Sequence, residues 1–446
     1  MRIDRQYLIL MLFVFGTSLW ATEKLNWQPV KVRTPQDGLL HWVRSEAYRD
    51  EHPLFGKEKI LPVAHFANPQ VLACFPDNLY QDDTADASLM VLLYAPGWDT
   101  LKQIPILLVH GAGDDAFRAW AHPLSLTTPE TVPEAQYGFM QKLTKAGHPV
   151  FAINFSHNHG CNYRQAEQIR NAIQIIRKKT GVGKVHLIAH SKGNCSATIY
   201  VSGNRDVNER YRDFLSPFGK DVAAYVQLAP GNKGIDVVFR YYGANLHVLS
   251  NKVASPVCFY SAFVYGFWHD YYKEDIFAAN PGKPLTGNYF PGQCQLAYNL
   301  VDDGLDFSML SYTAFDFNLT MKACYYGGAS GIVACYGIGH AIAEGDNTIE
   351  RLNRKGIDPS VCLINIYGTD PVIQQVDFGW FKIPIGISDY PSDGMLYVHS
   401  ASYVKGLLSR GAKLLAQKEF KKNHFRVAFH DEVSDFIITQ LGSKEE

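Results

Sequence analysis

The sequence predicts an α/β architecture: a mostly parallel central sheet with helices on both faces and an inserted cap. Three observations lead there. Short apolar runs suited to buried strands alternate with amphipathic helical patterns over residues 104–234. The connections between them are short. The same alternation resumes at residue 361, after a block of different texture.

Taken in order, Ser88 to Ala95 is a strand candidate ended by Pro96-Gly97. Ile104-Pro105-Ile106-Leu107-Leu108-Val109 is a buried-strand pattern that runs into His110-Gly111-Ala112-Gly113-Asp114. Tyr137 to Ala146 is helical, with Phe139, Met140, Leu143 and Ala146 near one face, and Gly147 stops it. Val150 to Phe155 is the next strand. Tyr163 to Thr180 is an amphipathic helix carrying Ala166, Ile169, Ile173 and Ile176, closed by Gly181 and Gly183. Val185 to Ile188 suits a short buried strand, Ala189 to Gly193 a tight turn, and Asn194 to Tyr200 a helix. Val222 to Leu228 is one more strand, ending in Ala229-Pro230-Gly231.

Residues 235–345 break this rhythm. They are dense in tyrosine, phenylalanine and glycine, and hold Cys258, Cys294, Cys324 and Cys335. The block predicts a cap over the C-terminal edge of the sheet. Most of its rings are expected to form its own core, and some, Phe263, Phe267 and Trp268 among them, to line an apolar groove. The rhythm returns with a strand from Val361 to Tyr367, ended by Gly368. Ala401 to Gln417 reads as a helix through Val404, Leu407, Leu408, Leu414 and Leu415. Phe425 to Phe429 reads as the last strand, with His430 directly behind it.

The beginning of the chain has its own character. Arg2 and Arg5 precede an apolar run from Tyr7 to Trp20, and Ala21 follows. This is the pattern of a secretory signal peptide, and it is short for a retained span. The expected organisation is a signal over 1–21, an extension with the first strands over 22–103, core over 104–234, cap over 235–345 and core again over 346–446. All eight cysteines lie beyond the signal, so disulfides are expected in a secreted or extracytoplasmic protein, with a pairing the sequence does not reveal.

Composition narrows the function. Of 446 residues, 47% are hydrophobic and 19% charged, as in a folded chain, and the net charge of -1 favours no nucleic-acid partner. The cysteines are too widely spaced for a zinc ribbon or a CxxC redox site. His157-Asn158-His159 lacks a clear third ligand, so no metal is assigned. Gly111-Ala112-Gly113 does not have the glycine spacing of a nucleotide loop, and no cofactor is expected. Sequons stand at Asn154, Asn194 and Asn318, of which only Asn318 is expected to be reachable.

The chemistry concentrates at the ends of strands. Ala189-His190-Ser191-Lys192-Gly193 between strand and helix makes a nucleophile elbow. Small residues two positions to either side of Ser191 let strand and helix approach, and the turn lifts Oγ toward solvent. The helix N-terminus behind it favours developing negative charge. A serine of this kind needs a histidine to take its proton and a carboxylate to fix that histidine. His430 is expected to be the base. Asp393, in the Asp393-Gly394 turn, is favoured as the acid over Asp370. The oxyanion hole is expected to use the backbone N–H groups of Ala112 and Lys192, with the Lys192 side chain turned to solvent. His110 is expected to pack or hydrogen-bond rather than to act as a base.

These stretches resemble the secreted bacterial lipases and esterases of the α/β-hydrolase superfamily that carry an A-H-S-x-G elbow. Ile106 to Gly111 looks like that family's oxyanion strand and loop, Gly181 to Gly193 like its elbow approach, and Ser392-Asp393-Gly394-Met395 with Ser400-Ala401 like its acid segment. The elbow is also similar to that of some extracellular polyhydroxyalkanoate depolymerases. The resemblance covers roughly 104–234 and 361–434 and implies the α/β-hydrolase fold. It implies a Ser-His-Asp hydrolase of apolar acyl esters, with lipid or polyester substrates and peripheral contact with a lipid surface. Asn194 stands where many relatives have a second glycine. Some relatives bind calcium through an aspartate just beyond the histidine; Asp431 adjoins His430 instead, and no calcium site is assigned. An amide- or thioester-cleaving hydrolase, and a binding protein with an idle triad, remain the alternatives.

Overall fold

Alternation along the strands decides which side chains meet which helices. The computed structural model describes residues 27–60, 66, 68–121, 138–240, 288, 290–307, 325–330, 333–335, 337–377 and 382–442. The expected signal segment over 1–21, and Phe263, Phe267, Trp268, Cys258, Cys324 and Asn318, lie outside the described residues. Among the described residues nine strands form one sheet: β1 (Lys31–Arg33), β2 (Arg44–Arg49), β3 (Leu89–Tyr94), β4 (Ile106–Val109), β5 (Val150–Phe155), β6 (Val185–His190), β7 (Val222–Leu228), β8 (Cys362–Gly368) and β9 (Lys413–Phe420). Their order across the sheet is β1-β2-β3-β5-β4-β6-β7-β8-β9. The first three pairings are antiparallel and the remaining five are parallel. This is the α/β-hydrolase arrangement, with the elbow strand β6 near the centre.

Every residue of β4, β5 and β6 is buried, as expected for strands covered on both faces. Leu107 and Val109 face one cluster with Leu187, Ile169, Ile173, Ile176 and Ile199. Ile106 and Leu108 face the other, with Ile188, Val226, Ile364, Phe139, Leu143, Val433 and Ile437. The first face is covered by α2 (Asn162–Thr180) and α3 (Gly193–Val201), the second by α1 (Phe139–Lys145) and α4 (Asp431–Gly442). Each fully buried Leu, Ile or Val contributes roughly 1.5–3 kcal/mol relative to exposure. Gly181 closes α2 in a left-handed cap at φ 74° whose N–H bonds back to the Arg177 carbonyl.

Two expected elements near the C-terminus are overturned. Residues 401–417 are not a helix. Val398–Ala401 makes a single turn, and Lys413–Phe420 is β9, paired from Cys362↔Lys413 to Gly368↔Phe420 with one register shift between Leu363 and Ile364. Its Lys-Leu-Leu-Ala-Gln-Lys-Glu composition favours helix, and the parallel partner overrides that preference. Phe425 to Phe429 is not a strand. Arg426–Ala428 is a tight helical turn, held because Asn423 accepts the Arg426 N–H on Oδ1 (2.9 Å) and the Val427 N–H on its carbonyl (3.1 Å). The sheet therefore ends at Phe420, and His424 lies in the loop that follows it.

Between β7 and its neighbour β8 the chain runs through the aromatic block. Its described parts include Val237–Arg240, Pro291–Cys294 and the segment around Leu305 and Tyr325. Arg240 is fully buried there, paired with Asp236 and stacked near Phe307, Tyr325 and Tyr397. Cys74, Cys161 and Cys195 are buried free thiols, so the expectation that the cysteines pair is not met by these three.

Candidate functional site

Ser191 follows the last residue of β6 and takes φ 52°, a left-handed conformation that a serine adopts only when its surroundings impose it. The imposing contacts are identifiable. Ser191 N–H donates to the Leu228 carbonyl at the end of β7 (3.0 Å). A Cβ at Gly193 would collide with the His110 carbonyl, and one at Gly111 would come within 2.9 Å of Ser191 Cβ. Glycines at both positions let the oxyanion loop, the strand end and the helix N-terminus converge on one serine.

The structure brings Ser191 to His424 and not to His430. Ser191 Oγ–H donates to His424 Nε2 at 2.9 Å, and His424 Nδ1–H donates to Asp393 Oδ2 at 2.8 Å. His430 sits at the start of α4, where its Nδ1 accepts the Glu432 N–H at 3.4 Å. His424 thus stands where His430 was expected, beside Ser191, because the last strand is β9 and not residues 425–429. The signal that finds it is the first histidine after the last strand, once β9 is placed.

Asp393 is 1% exposed and its second oxygen is also satisfied: Oδ1 accepts the N–H groups of Met395 (3.0 Å) and Leu396 (2.7 Å). Gly394 at φ 92° turns the chain so that those amides point back at the carboxylate. The Asp393 carbonyl accepts the His424 N–H at 2.8 Å, so acid and histidine are joined twice. Gly368 at the end of β8 leaves the room: a Cβ there would lie 2.9 Å from Asp393 Cβ and collide with the Lys422 carbonyl. Asp370 is elsewhere employed, its Oδ1 accepting the Val372 N–H at 3.0 Å. Asp431 pairs with Lys142 at 2.8 Å.

His190, which sequence reasoning left without a role, donates from Nε2 to the His424 carbonyl at 2.9 Å. Burial holds its pKa well below the usual histidine value, so it stays neutral and fixes the backbone of His424. His110 packs as expected: Nδ1–H donates to the Gly111 carbonyl (2.9 Å), Nε2 accepts the Phe155 N–H (3.4 Å), and burial lowers its pKa to about 4.

The N–H groups of Ala112 and Lys192 donate to no acceptor among the described residues, which leaves both available to an oxygen near Ser191. The Lys192 side chain is not in solvent. The residue is 2% exposed and Nζ donates to Gln165 Oε1 at 2.6 Å. Folding α2 beside the elbow leaves that side chain only an inward path. His157 Nε2 donates to the Lys59 carbonyl and His159 Nδ1 accepts from Gln293, so the histidine pair faces protein groups. Among the described residues no group of three or more His, Cys, Asp or Glu is arranged to hold a metal. Asn154 and Asn194 are buried.

Residues 103–280 match the family described as lipase (class 2). No curated protein matches the chain. Among solved structures the chain is similar to the mature form of a lipase from Bacillus licheniformis, at 13% identity over 76% of this chain and 92% of that one, with a TM-score of 0.37. It is also similar to a highly thermostable carboxyl esterase from Bacillus coagulans, at 15% identity over 79% and 93% of the two chains, with a TM-score of 0.35. The family match over the elbow bears out the resemblance to lipases and esterases of the α/β-hydrolase superfamily and supports a carboxylic-ester hydrolase.

Proposed function

We propose that this chain is a serine hydrolase that cleaves esters of uncharged, apolar acyl groups through an acyl-enzyme, with Ser191 as nucleophile, His424 as general base and acid, and Asp393 as the carboxylate that orients it. One observation carries the reading: an unbroken hydrogen-bonded relay from Ser191 Oγ through His424 to Asp393, on a serine held at φ 52°. His424 Nε2 takes the Ser191 proton as Oγ attacks the carbonyl carbon. The resulting oxyanion is received by the N–H groups of Ala112 and Lys192. The imidazolium, steadied by Asp393, gives the proton to the leaving alcohol. Water then enters, loses a proton to His424, and releases the acid.

The apolar preference is supported by the aromatic density from Tyr260 to Tyr272 and by the lipase family match. Export is inferred from the apolar run of Tyr7 to Trp20, and N-terminal sequencing of the native protein tests it. An organophosphonate should label Ser191 in the folded protein and not in Ser191→Ala. A kcat/KM series over p-nitrophenyl esters should rise beyond acetyl, and Phe263→Ala, Phe267→Ala and Trp268→Ala should flatten that slope. An unlabelled Ser191 sinks the enzyme reading. A maximum at acetyl sinks the apolar preference, and release of acid from a polyester film in place of soluble esters would favour a depolymerase.

A further inference from the structure

Lys192 is a buried cation beside the elbow that the reaction, as written above, uses only through its backbone. Its ammonium sits at the centre of a polar network. Nζ donates to Gln165 Oε1 (2.6 Å), which also accepts Ser196 Oγ–H (2.9 Å), and Gln165 Nε2 donates to the His157 carbonyl (2.9 Å). Ser196 shares that one hydroxyl hydrogen with Asn162 Oδ1 (2.9 Å), and Asn162 Nδ2 donates to the Gly292 carbonyl (2.8 Å). Gly292 in turn donates to the His159 carbonyl (3.0 Å) and packs on the lysine so closely that a Cβ would collide with Lys192 Cε. The elbow helix, the first turn of α2, the loop at 157–160 and the segment 290–294 thus meet around one nitrogen. Among the described residues no carboxylate forms an ion pair with it.

A buried ammonium without an ionic partner is costly, and a methionine would fill the same space without that cost. Its position offers a reason for keeping the charge. We propose that Lys192 is a positioning residue for ester cleavage: its ammonium pins the elbow's first turn to Gln165 of α2, with Gly292 packed against the side chain, and so holds the Lys192 N–H where the oxyanion forms. The proposal rests on the ester-hydrolase reading above.

The charge is open to titration. Burial pulls the Lys192 pKa down to about 8, so the ammonium is present below that pH and lost above it. The ionisable groups around it are Glu58 from the strand at 57–59, His159 and Cys161 ahead of α2, Cys195 on α3 and His110 after β4. Burial holds His110 at about 4 and His159 also well below the usual range, and pushes Cys195 up to about 12. Those three keep one protonation state from neutral pH to mild alkali. Glu58 is tied to Arg164 (2.9 Å) and to the Cys161 N–H (3.2 Å).

The test is the pH profile of kcat and KM for a soluble p-nitrophenyl ester with the full chain, Lys192→Met, Gln165→Glu and Cys161→Ser. Wild type should lose kcat as pH rises through about 8. Lys192→Met should lose about ten- to a hundredfold in kcat at pH 7, short of or equal to losing one oxyanion donor, with KM little changed and no alkaline limb. Gln165→Glu puts a carboxylate beside the ammonium and should move the limb up by a pH unit or more. Lys192→Met should melt no lower than wild type at pH 7, since it removes a buried charge. Wild-type kcat in Lys192→Met, an unmoved limb in Gln165→Glu, or a limb abolished by Cys161→Ser would each overturn the proposal. If Lys192→Met does not fold, Gln165→Glu decides it. Phosphonate labelling of the same samples keeps the two readings apart: an unlabelled wild type refutes the hydrolase, while a labelled wild type with unmoved profiles refutes only the role of Lys192.

Discussion

The elbow at 185–201 and the segment 390–430 supply the two halves of one hydrogen-bonded relay, and they are held by different means. β6 is laddered on both sides, to β4 and β7, and all its residues are buried. Backbone pairing and two glycine contacts place Ser191 before any side chain takes part. The acid and histidine loops have no ladder. Asp393 is set by amides of its own turn, His424 by the Asp393 carbonyl and His190, and the following turn by Asn423. A nucleophile under strain is carried by the sheet, while its partners are tuned by side chains that each have few bonds.

The largest effects should come from the relay itself. Ser191→Ala and His424→Ala should each lower kcat by about 10⁴–10⁶-fold, as expected when one member of a cooperating set is lost. His430→Ala should stay within a few-fold of wild type. Steady-state kinetics on the three purified variants checks this. Full activity in His424→Ala would break the pairing of the two halves altogether.

Next comes the acid. Asp393→Asn should lower kcat by about 10⁴-fold, because the amide no longer holds His424 in the tautomer that accepts the serine proton. Asp370→Asn should cost under about tenfold, since that carboxylate only caps a local turn. The reverse ranking would mean that the loops rearrange when substrate binds.

The same contrast explains what the sequence allowed one to read. The elbow is legible because its determinants are local: an apolar run, small residues two to either side of Ser191, and a helix behind. The Asp393-Gly394 turn is legible for the same reason. His424 is not, because its place depends on where the sheet ends. Lys413–Phe420 has helix-forming residues and becomes a strand only through β8, while Phe425 to Phe429 has strand-forming residues and is bent into a turn by Asn423. The place of the Lys192 side chain is not legible for a related reason. A lysine on a turn belongs in solvent unless another element arrives, and α2 and residues 290–294 arrive from elsewhere in the chain.

Acid should expose the ladder side. Burial depresses His110 and His186 to about 4, so each binds a proton more readily when unfolded. The contribution of these two histidines should be complete above about 6.5, the usual histidine value, and be lost between there and about 4, by at most on the order of 3 kcal/mol per histidine. Urea denaturation across that range measures it, and His186→Leu should flatten the slope. An unchanged slope would assign the acid sensitivity to other groups.

The smallest effect tests the side-chain half on its own terms. Asn423 is 6% exposed and makes two bonds with its side chain: Nδ2 donates to the Val372 carbonyl (2.9 Å), and Oδ1 accepts the Arg426 N–H (2.9 Å). One ties the histidine loop to the chain leaving β8, the other closes the turn directly after His424. Neither bond touches Ser191 or Asp393. Asn423→Ala removes both and leaves the half-buried Val372 carbonyl without its donor, a loss of about 1 kcal/mol. If the loop is held by such bonds, part of that loss appears as a looser His424 and a fall in kcat of about tenfold with KM unchanged, since misplacement of a base by a fraction of an ångström slows proton transfer more than binding. Asn423→Asp keeps the acceptor for Arg426 and should recover part of the loss. A variant that melts earlier yet turns over at the wild-type rate would show that His424 is positioned by Asp393 and His190 alone.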